Sequence, residues 1–437
     1  MLPASSALRV ALTACLALPI FAFGSDAKSL GHWEGTMVRE GIPLEVSFDF
    51  TNGAQPKGTF TSLTQRAMDF PLDVFTVNSD AVHFVLGGSI VFDGKLNADR
   101  ITGTFTDNGV EGNFTLHREM LKPLPYEAID VSFHNGAVTL SGTLCIPRKP
   151  GRLAAVVLLQ GSGSETRWGT NRFIADRFAR SGIAALVYDK RGAGASTGDW
   201  KMSSYDDLAN DAIAGIDLLA SNRGIDPKRI GLHGHSEGGI IAAIAAARAP
   251  SKVSFVVAED TVAGFVRDQD FYRVSHQIRQ AGFSDAEIGD ALNLYKLMLD
   301  VACGTKPYRT LATTSQAVQH QRWYQWLSIP PENSYLWNWY PKIGNLDTLG
   351  FWKKVNSPVL LVYGELDQLV PVDESLSKIE AALDRPNTTY TAVIVPNAQH
   401  NLTVHPEPNG PFFWWKAAPG IVDLVVAWVH QRTELMH

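Results

Sequence analysis

The stretch Arg229-Ile230-Gly231-Leu232-His233-Gly234-His235-Ser236-Glu237-Gly238-Gly239 decides how the rest of the chain is read. Its first half holds a short apolar strand, Ile230 to Leu232, and it runs on into an alanine-rich segment of helical length, Gly238 to Arg248. Between them lies G-x-S-x-G. The flanking glycines let the backbone turn sharply with no Cβ in the way and leave the serine Oγ exposed. Strand, tight serine turn and helix together put that hydroxyl at the end of a sheet, where a helix N-terminus favours negative charge.

Working outward, continuous apolar strands recur at Ala154 to Leu159, Ile183 to Tyr188, Val253 to Val257, Val359 to Tyr363 and Thr391 to Val395. Segments of helical pattern, such as Ser204 to Leu219, alternate with them. Strands buried on both faces and alternating with helices imply a mostly parallel sheet flanked by helices. Val131-Ser132-Phe133 and Val138-Thr139-Leu140 flank Asn135-Gly136, a hairpin signal. The long interval between Val257 and Val359 breaks the rhythm and must carry structure of its own. It is helix-compatible and holds Trp323, Trp326, Trp337, Trp339 and Trp352, which suits a helical cap whose inner face lines an apolar pocket.

From Gly31 to about Glu119 the text changes to short alternating runs, such as Leu44 to Phe50 and Val82 to Leu86, separated by turn residues such as Asn52-Gly53. That pattern reads as an antiparallel β-meander of roughly eight strands, a small barrel or half-barrel. Its opening, Gly31-His32-Trp33-Glu34-Gly35, resembles the head of small lipocalin-like barrels. A packing or lid role is expected for it, with ligand binding as the alternative. The expected organisation is a signal peptide at 1–24, a β-rich domain at 25–120, and a proline-stiffened linker at 121–127. A catalytic domain at 128–260 and 351–437 follows, interrupted by the cap at 261–350.

The signal-peptide reading rests on Arg9, the apolar run Val10 to Phe23, and the small-x-small sequence Ala22-Phe23-Gly24. That run is too short for a stable membrane span. A periplasmic or secreted location is expected, with lipid attachment at Cys15 as the minor alternative. Lys+Arg 38 against Asp+Glu 44 gives a net charge of -6 with no basic block, which argues against nucleic acid as a partner. Cys145 and Cys303 lie in different segments, and the sequence leaves open whether they are bridged. No cysteine or histidine cluster has zinc spacing, and no metal or organic cofactor is expected.

A serine hydroxyl is a weak nucleophile at neutral pH. It needs a base, and the base needs an acid to orient it. The strand Val359 to Tyr363 ends in Gly364-Glu365-Leu366-Asp367, and the strand Thr391 to Val395 ends in Pro396-Asn397-Ala398-Gln399-His400. Asp367 and His400 therefore fall on the same sheet edge as Ser236, in the chain order Ser, Asp, His of α/β-hydrolases. His233 and His235 sit too close on the turn to serve as the base, and His405 is the fallback. Glu365 competes for the acid role. So does Glu259-Asp260, at the end of an earlier strand from which some hydrolases take their acid.

The acyl-transfer intermediate carries an oxyanion and needs preorganised N–H donors. Gln160-Gly161-Ser162-Gly163 resembles the H-G-x-G oxyanion loop with Gln160 in place of histidine. The expected donors are the backbone N–H groups of Ser162 and Glu237. A phosphate-cradling glycine loop is excluded there by the lack of a Lys-Ser/Thr ending. The loop Asp189 to Ser196 resembles the D-x-R-G-x-G-x-S stretch of α/β-hydrolases, in which the aspartate and arginine are usually structural.

Residues from about 128 to 434 thus resemble an α/β-hydrolase, and are similar to secreted bacterial esterases related to the dienelactone hydrolase and serine aminopeptidase-like group. The resemblance implies hydrolysis of a small-molecule carboxylic ester through an acyl-serine. Small or medium acyl or aryl groups would suit the aromatic cap. A serine aminopeptidase or amidase, or an acyltransferase with the same triad, are the alternatives within enzymes. A binding protein on a hydrolase fold is the alternative outside them.

Overall fold

Alternating patterns bury one face of each strand, and eight such strands in succession bury it best by closing on themselves. In the computed structural model, which describes residues 29–52, 57–386, 388–404 and 410–434, the first eight strands form a closed antiparallel barrel. They are β1 (Gly31–Arg39), β2 (Ile42–Thr51), β3 (Lys57–Ser62), β4 (Ala67–Asn78), β5 (Ala81–Leu86), β6 (Ile90–Asn97), β7 (Arg100–Asp107) and β8 (Val110–Glu119). β8 pairs back onto β1, so no edge is left unpaired. The inside is filled by phenylalanines: Phe84 stacks on Phe92 with ring centroids 4.4 Å apart, and Phe48 lies 4.9 Å from Phe84. Their own side chains occupy the space a lipocalin-like ligand would need. The expected signal peptide with Cys15, the residue Gly53 of the expected turn, and His405 lie outside the described residues.

The second sheet has eight strands: β9 (Tyr126–Asn135), β10 (Val138–Pro147), β11 (Leu153–Leu159), β12 (Ala184–Tyr188), β13 (Ile225–His235), β14 (Val256–Glu259), β15 (Val359–Gly364) and β16 (Tyr390–Val395). Their order is β16-β15-β14-β13-β11-β12-β10-β9. β10 runs antiparallel to both β9 and β12, and the remaining neighbours are parallel. A two-residue ribbon, β17 (Thr403–Val404) with β18 (Lys416–Ala417), follows. Three expectations shift. Tyr126 and Glu127, read as linker, open β9, and Tyr126 OH donates to Asp176 Oδ1 at 2.7 Å. β14 starts three residues later than Val253. β16, read as buried on both faces, is an edge strand that exposes alternate residues.

Helices α1 (Thr170–Arg180), α2 (Tyr205–Ser221) and α3 (Glu237–Arg248) precede the long interval. The interval itself holds α4 (Val266–Gln280), α5 (Asp285–Ala302), α6 (Tyr308–Val318), α7 (Leu336–Trp339) and α8 (Leu349–Trp352). α9 (Val372–Leu383) and α10 (Ile421–Glu434) complete the layers. α3 buries every residue from Glu237 to Ala246, as an apolar helix between a sheet and a cap must. α2 starts from a capping box in which Ser204 and Asp207 satisfy each other's backbone N–H groups. Among the described residues no helix is long and apolar enough to cross a membrane.

Barrel and sheet domain are joined by more than the linker. Met68 and Gly169 exchange backbone hydrogen bonds at 3.3 and 2.9 Å, and Arg172 pairs with Asp69 at 2.9 Å. From the C-terminal part, Trp414 Nε1 donates to Ile42 O at 2.9 Å and Ala417 N to Thr64 O at 3.2 Å. Arg66, on the β3–β4 turn of the barrel, is 3% exposed. Its guanidinium donates to Asn401 O at 3.4 Å and lies 3.7 Å from Glu259 at the end of β14.

Candidate active site

Ser236 sits between β13 and α3 at φ 55°, ψ -118°. A non-glycine residue holds such a conformation at a cost of order 1–3 kcal/mol, and here the surroundings enforce it. Its N–H donates to Glu259 O at 2.8 Å. The glycines on either side leave no room for alternatives. A Cβ on Gly234 would lie 2.1 Å from Gly238 O, and one on Gly238 would lie 2.6 Å from Leu159 O. G-x-S-x-G is thus needed for strand and helix to approach closely enough to present the hydroxyl.

β15 and β16 pair in parallel, Gly364 opposite Val395, so the loops after them emerge side by side. The geometry brings Asp367 and His400 together: His400 Nδ1 and Asp367 Oδ2 are 2.7 Å apart. The other carboxylate oxygen, Oδ1, accepts from the N–H groups of Leu369 at 2.7 Å and Val370 at 3.0 Å. One oxygen is therefore anchored by backbone while its partner holds the imidazole. Burial alone would lower the His400 pKa, but the Asp367 hydrogen bond and charge, with the charge of Asp260, outweigh it and raise the pKa.

The competing acids are placed elsewhere. Glu365 is exposed and accepts from Asn397 N at 2.9 Å. Glu259 lies 3.1 Å from His233 Nε2. Burial works to raise the Glu259 pKa, yet His233, Arg66 and His235 hold it at about 2. Asp260 is fully buried at φ 47°, accepts from Gly364 N at 2.8 Å, and lies 3.7 Å from His235 Nε2. The His235 and His400 rings stand 4.8 Å apart, centroid to centroid. Asp260 is thus a second carboxylate behind the imidazole pair. Among the described residues, His235, Asp260 and His400 form the group that could hold a metal ion, with one atom from each within 4.8 Å of the others.

Of the two expected oxyanion donors, Ser162 lines the same cavity as Ser236 and His400, and Glu237 follows Ser236 directly in the chain. Glu237 is the first residue of α3, so its N–H has no partner within the helix. Gly161 N donates to Glu165 Oε2 at 2.9 Å, leaving Ser162 to present the next N–H of the loop. Gln160 donates through its side chain to Tyr188 O and ties the loop to β12. Sequence reasoning missed what joins the two expected donor residues. Lys190, 3% exposed, donates to Gly161 O at 2.7 Å and also to the carboxylate of Glu237, which is 4% exposed. Ser162 Oγ donates to the same carboxylate at 3.4 Å. Lys190 stands inside the D-K-R-G-A-G-A-S stretch, where only its neighbours drew notice. There Asp189 accepts from Arg167 N at 2.8 Å and Ala195 N at 2.9 Å, and Arg191 pairs with Asp211 at 2.6 Å.

Ser162, Ser236 and His400 line one cavity of about 450 Å³ together with cap residues including Tyr295, Met298 and Trp339. The expectation of an apolar pocket needs correction: Asp270 and Arg273 of α4 also line it. Asp270 accepts from Tyr340 OH at 2.5 Å and lies 3.6 Å from Arg273. Most cap tryptophans pack rather than line. Trp323 and Trp352 are buried in the core, and Trp326 is exposed.

A family model described as serine aminopeptidase, S33, matches residues 151–288. The multifunctional-autoprocessing repeats-in-toxin of Vibrio vulnificus is 32% identical over 155 residues, 35% of this chain and 3% of the toxin. The chain thus spans a small fraction of that relative's length. Among solved structures, the dienelactone hydrolase of Anabaena variabilis is 18% identical, covering 71% of this chain and 98% of that one, with a TM-score of 0.41. Est1E from Butyrivibrio proteoclasticus with bound ferulic acid is 16% identical, covering 70% and 97%, with a TM-score of 0.44. Sheet order, serine turn and the family match over residues 151–288 give the part of the chain after the barrel the α/β-hydrolase fold, with the residues just described at the C-terminal edge of its parallel strands.

Proposed function

We propose that the protein is a serine hydrolase that cleaves carboxylic esters through an acyl-serine, with Ser236 as nucleophile, His400 as general base and acid, and Asp367 as its orienting partner. The observation that carries the reading is the 2.7 Å bond from Asp367 to His400, whose ring lines the same cavity as Ser236 on its strained turn. His400 takes the Oγ proton as Oγ attacks the carbonyl carbon. The N–H groups of Ser162 and Glu237 receive the oxyanion. Collapse breaks the bond to the alcohol oxygen, which leaves with the proton from His400. Water then repeats the sequence, with His400 taking its proton, and frees the acid and Ser236.

Small or medium acyl or aryl groups fit a cavity of about 450 Å³. Export through the leader at 1–24 belongs to the same proposal. An aminopeptidase or amidase is the second reading. It is favoured by the family match and by Asp270 in the cavity, a carboxylate that could receive an amine. Turnover of p-nitrophenyl esters from acetate to palmitate, beside aminoacyl-p-nitroanilides, separates the two. Ser236→Ala should lose about three to six orders of magnitude in kcat and all labelling by a fluorophosphonate. Retained turnover in that variant would overturn the mechanism.

A further inference from the structure

The barrel's purpose follows from a second cavity, of about 520 Å³, between barrel and hydrolase domain. Its walls are aromatic: Phe70 from the barrel, Trp168 from the loop before α1, and Trp415 from the segment before β18. Phe70 and Trp415 are 38% and 43% exposed, and with Trp168 they face one cleft rather than being scattered singly over the surface. Arg66 also lines this cleft; its Nε makes no hydrogen bond among the described residues, and its Nη2 is held only by the 3.7 Å ion pair with Glu259. The cleft and the cavity beneath the cap are neighbours that share part of their lining. Gly161, Glu165, His235 and Asn401 line both.

We propose that this cleft is the leaving-group subsite and that the barrel supplies one wall of it, for the ring of an aromatic alcohol. This rests on the serine-hydrolase reading above. The departing oxygen must touch His400 to receive its proton, so the group attached to it extends past that residue. Asn401, the next residue, borders both cavities, and Arg66 of the barrel holds its carbonyl. The acyl half then occupies the space under the cap, where Ser162 presents its N–H. Three aromatic side chains suit a flat ring, and the Arg66 guanidinium, whose Nη2 faces Glu259 at 3.7 Å and whose Nε makes no hydrogen bond among the described residues, suits a polar substituent on it.

The test uses the full chain and esters that share one acyl group: methyl, phenyl and 2-naphthyl acetate, with 2-naphthyl butyrate added. Phe70→Ala and Trp415→Ala should each lower kcat/KM for 2-naphthyl acetate about tenfold more than for methyl acetate. Met298→Ala, under the cap, should instead change the ratio of butyrate to acetate. Two variants from different segments guard against one that fails to fold, and near-ultraviolet circular dichroism checks both. An unchanged naphthyl-to-methyl ratio in both variants would overturn the subsite, as would a shift of that ratio in Met298→Ala. Turnover that survives Ser236→Ala would instead overturn the serine-hydrolase reading beneath it, so the two failures are distinct.

Discussion

Replacing Lys190 with methionine keeps the aliphatic stem and removes the ammonium that ties Glu237 to the Gly161–Ser162 peptide, the two proposed oxyanion donors. The ammonium makes two hydrogen bonds, to Gly161 O and to the Glu237 carboxylate, in a site where both charged residues are under 5% exposed. Bonds to charged groups contribute about 1.5–3 kcal/mol each, so their loss totals about 3–6 kcal/mol. The known cost of stranding one member of a buried ion pair, about 3–5 kcal/mol, falls in the same range. Ser162 Oγ still donates to Glu237 but brings no countercharge. Equilibrium urea unfolding should therefore find Lys190→Met destabilised by about 3–5 kcal/mol, and Lys190→Met/Glu237→Gln less destabilised than the single variant. A loosened loop should also cost about a hundredfold in kcat on a fixed p-nitrophenyl ester, as when one oxyanion donor is lost, with KM little changed. A single variant within about 1 kcal/mol of the parent and with full kcat would refute the reasoning.

The proposed mechanism uses neutral His400 as its base, so kcat/KM should fall as the pH drops through its raised pKa. Asp367→Asn removes the main group that raises it, so the acid limb should move to lower pH while plateau kcat falls about 10⁴-fold; pH–rate profiles of both proteins check this. The linked stability has the opposite sense. Protonated His400 stabilises the fold fully below the ordinary value of 6.5, and that contribution is lost as pH rises through the raised pKa, which denaturant titrations at several pH values would follow. Cys145 and Cys303 are free and buried. Burial pushes the Cys145 thiol up to about 11. Both should resist a thiol reagent in the native protein and label after denaturation, whereas a bridge would leave them unlabelled.

Local patterns that repeat were legible in the sequence. Period-two runs announced the barrel, and apolar strands with helices between them announced the parallel sheet. The serine turn was read from glycines that now prove to be packed against backbone at Gly238 O and Leu159 O. Asp367 and His400 were placed together because each follows a late strand, and neighbouring parallel strands deliver their loops to one edge. Contacts that join distant segments were not legible. Lys190 and Glu237 are 47 residues apart, and no periodic signal pairs a single lysine with a single glutamate. Arg66 and Asn401 are 335 residues apart, and a turn residue of a barrel gives no hint that its side chain will be buried in another domain. The mixed polarity under the cap escaped because Asp270 and Arg273 lie on a helix that reads as surface from its composition.

The barrel is fastened to the hydrolase at several separated places: the Met68–Gly169 backbone pair, the Asp69–Arg172 ion pair, the Trp414 and Ala417 bonds, and Arg66. Swinging it away would break all of these together and leave Glu259 with one positive neighbour fewer in the core. The barrel is therefore a fixed jamb rather than a door. Any widening of the catalytic space to admit substrate or release product falls to the cap, and the N-terminal domain cannot be trimmed off as a detachable appendage.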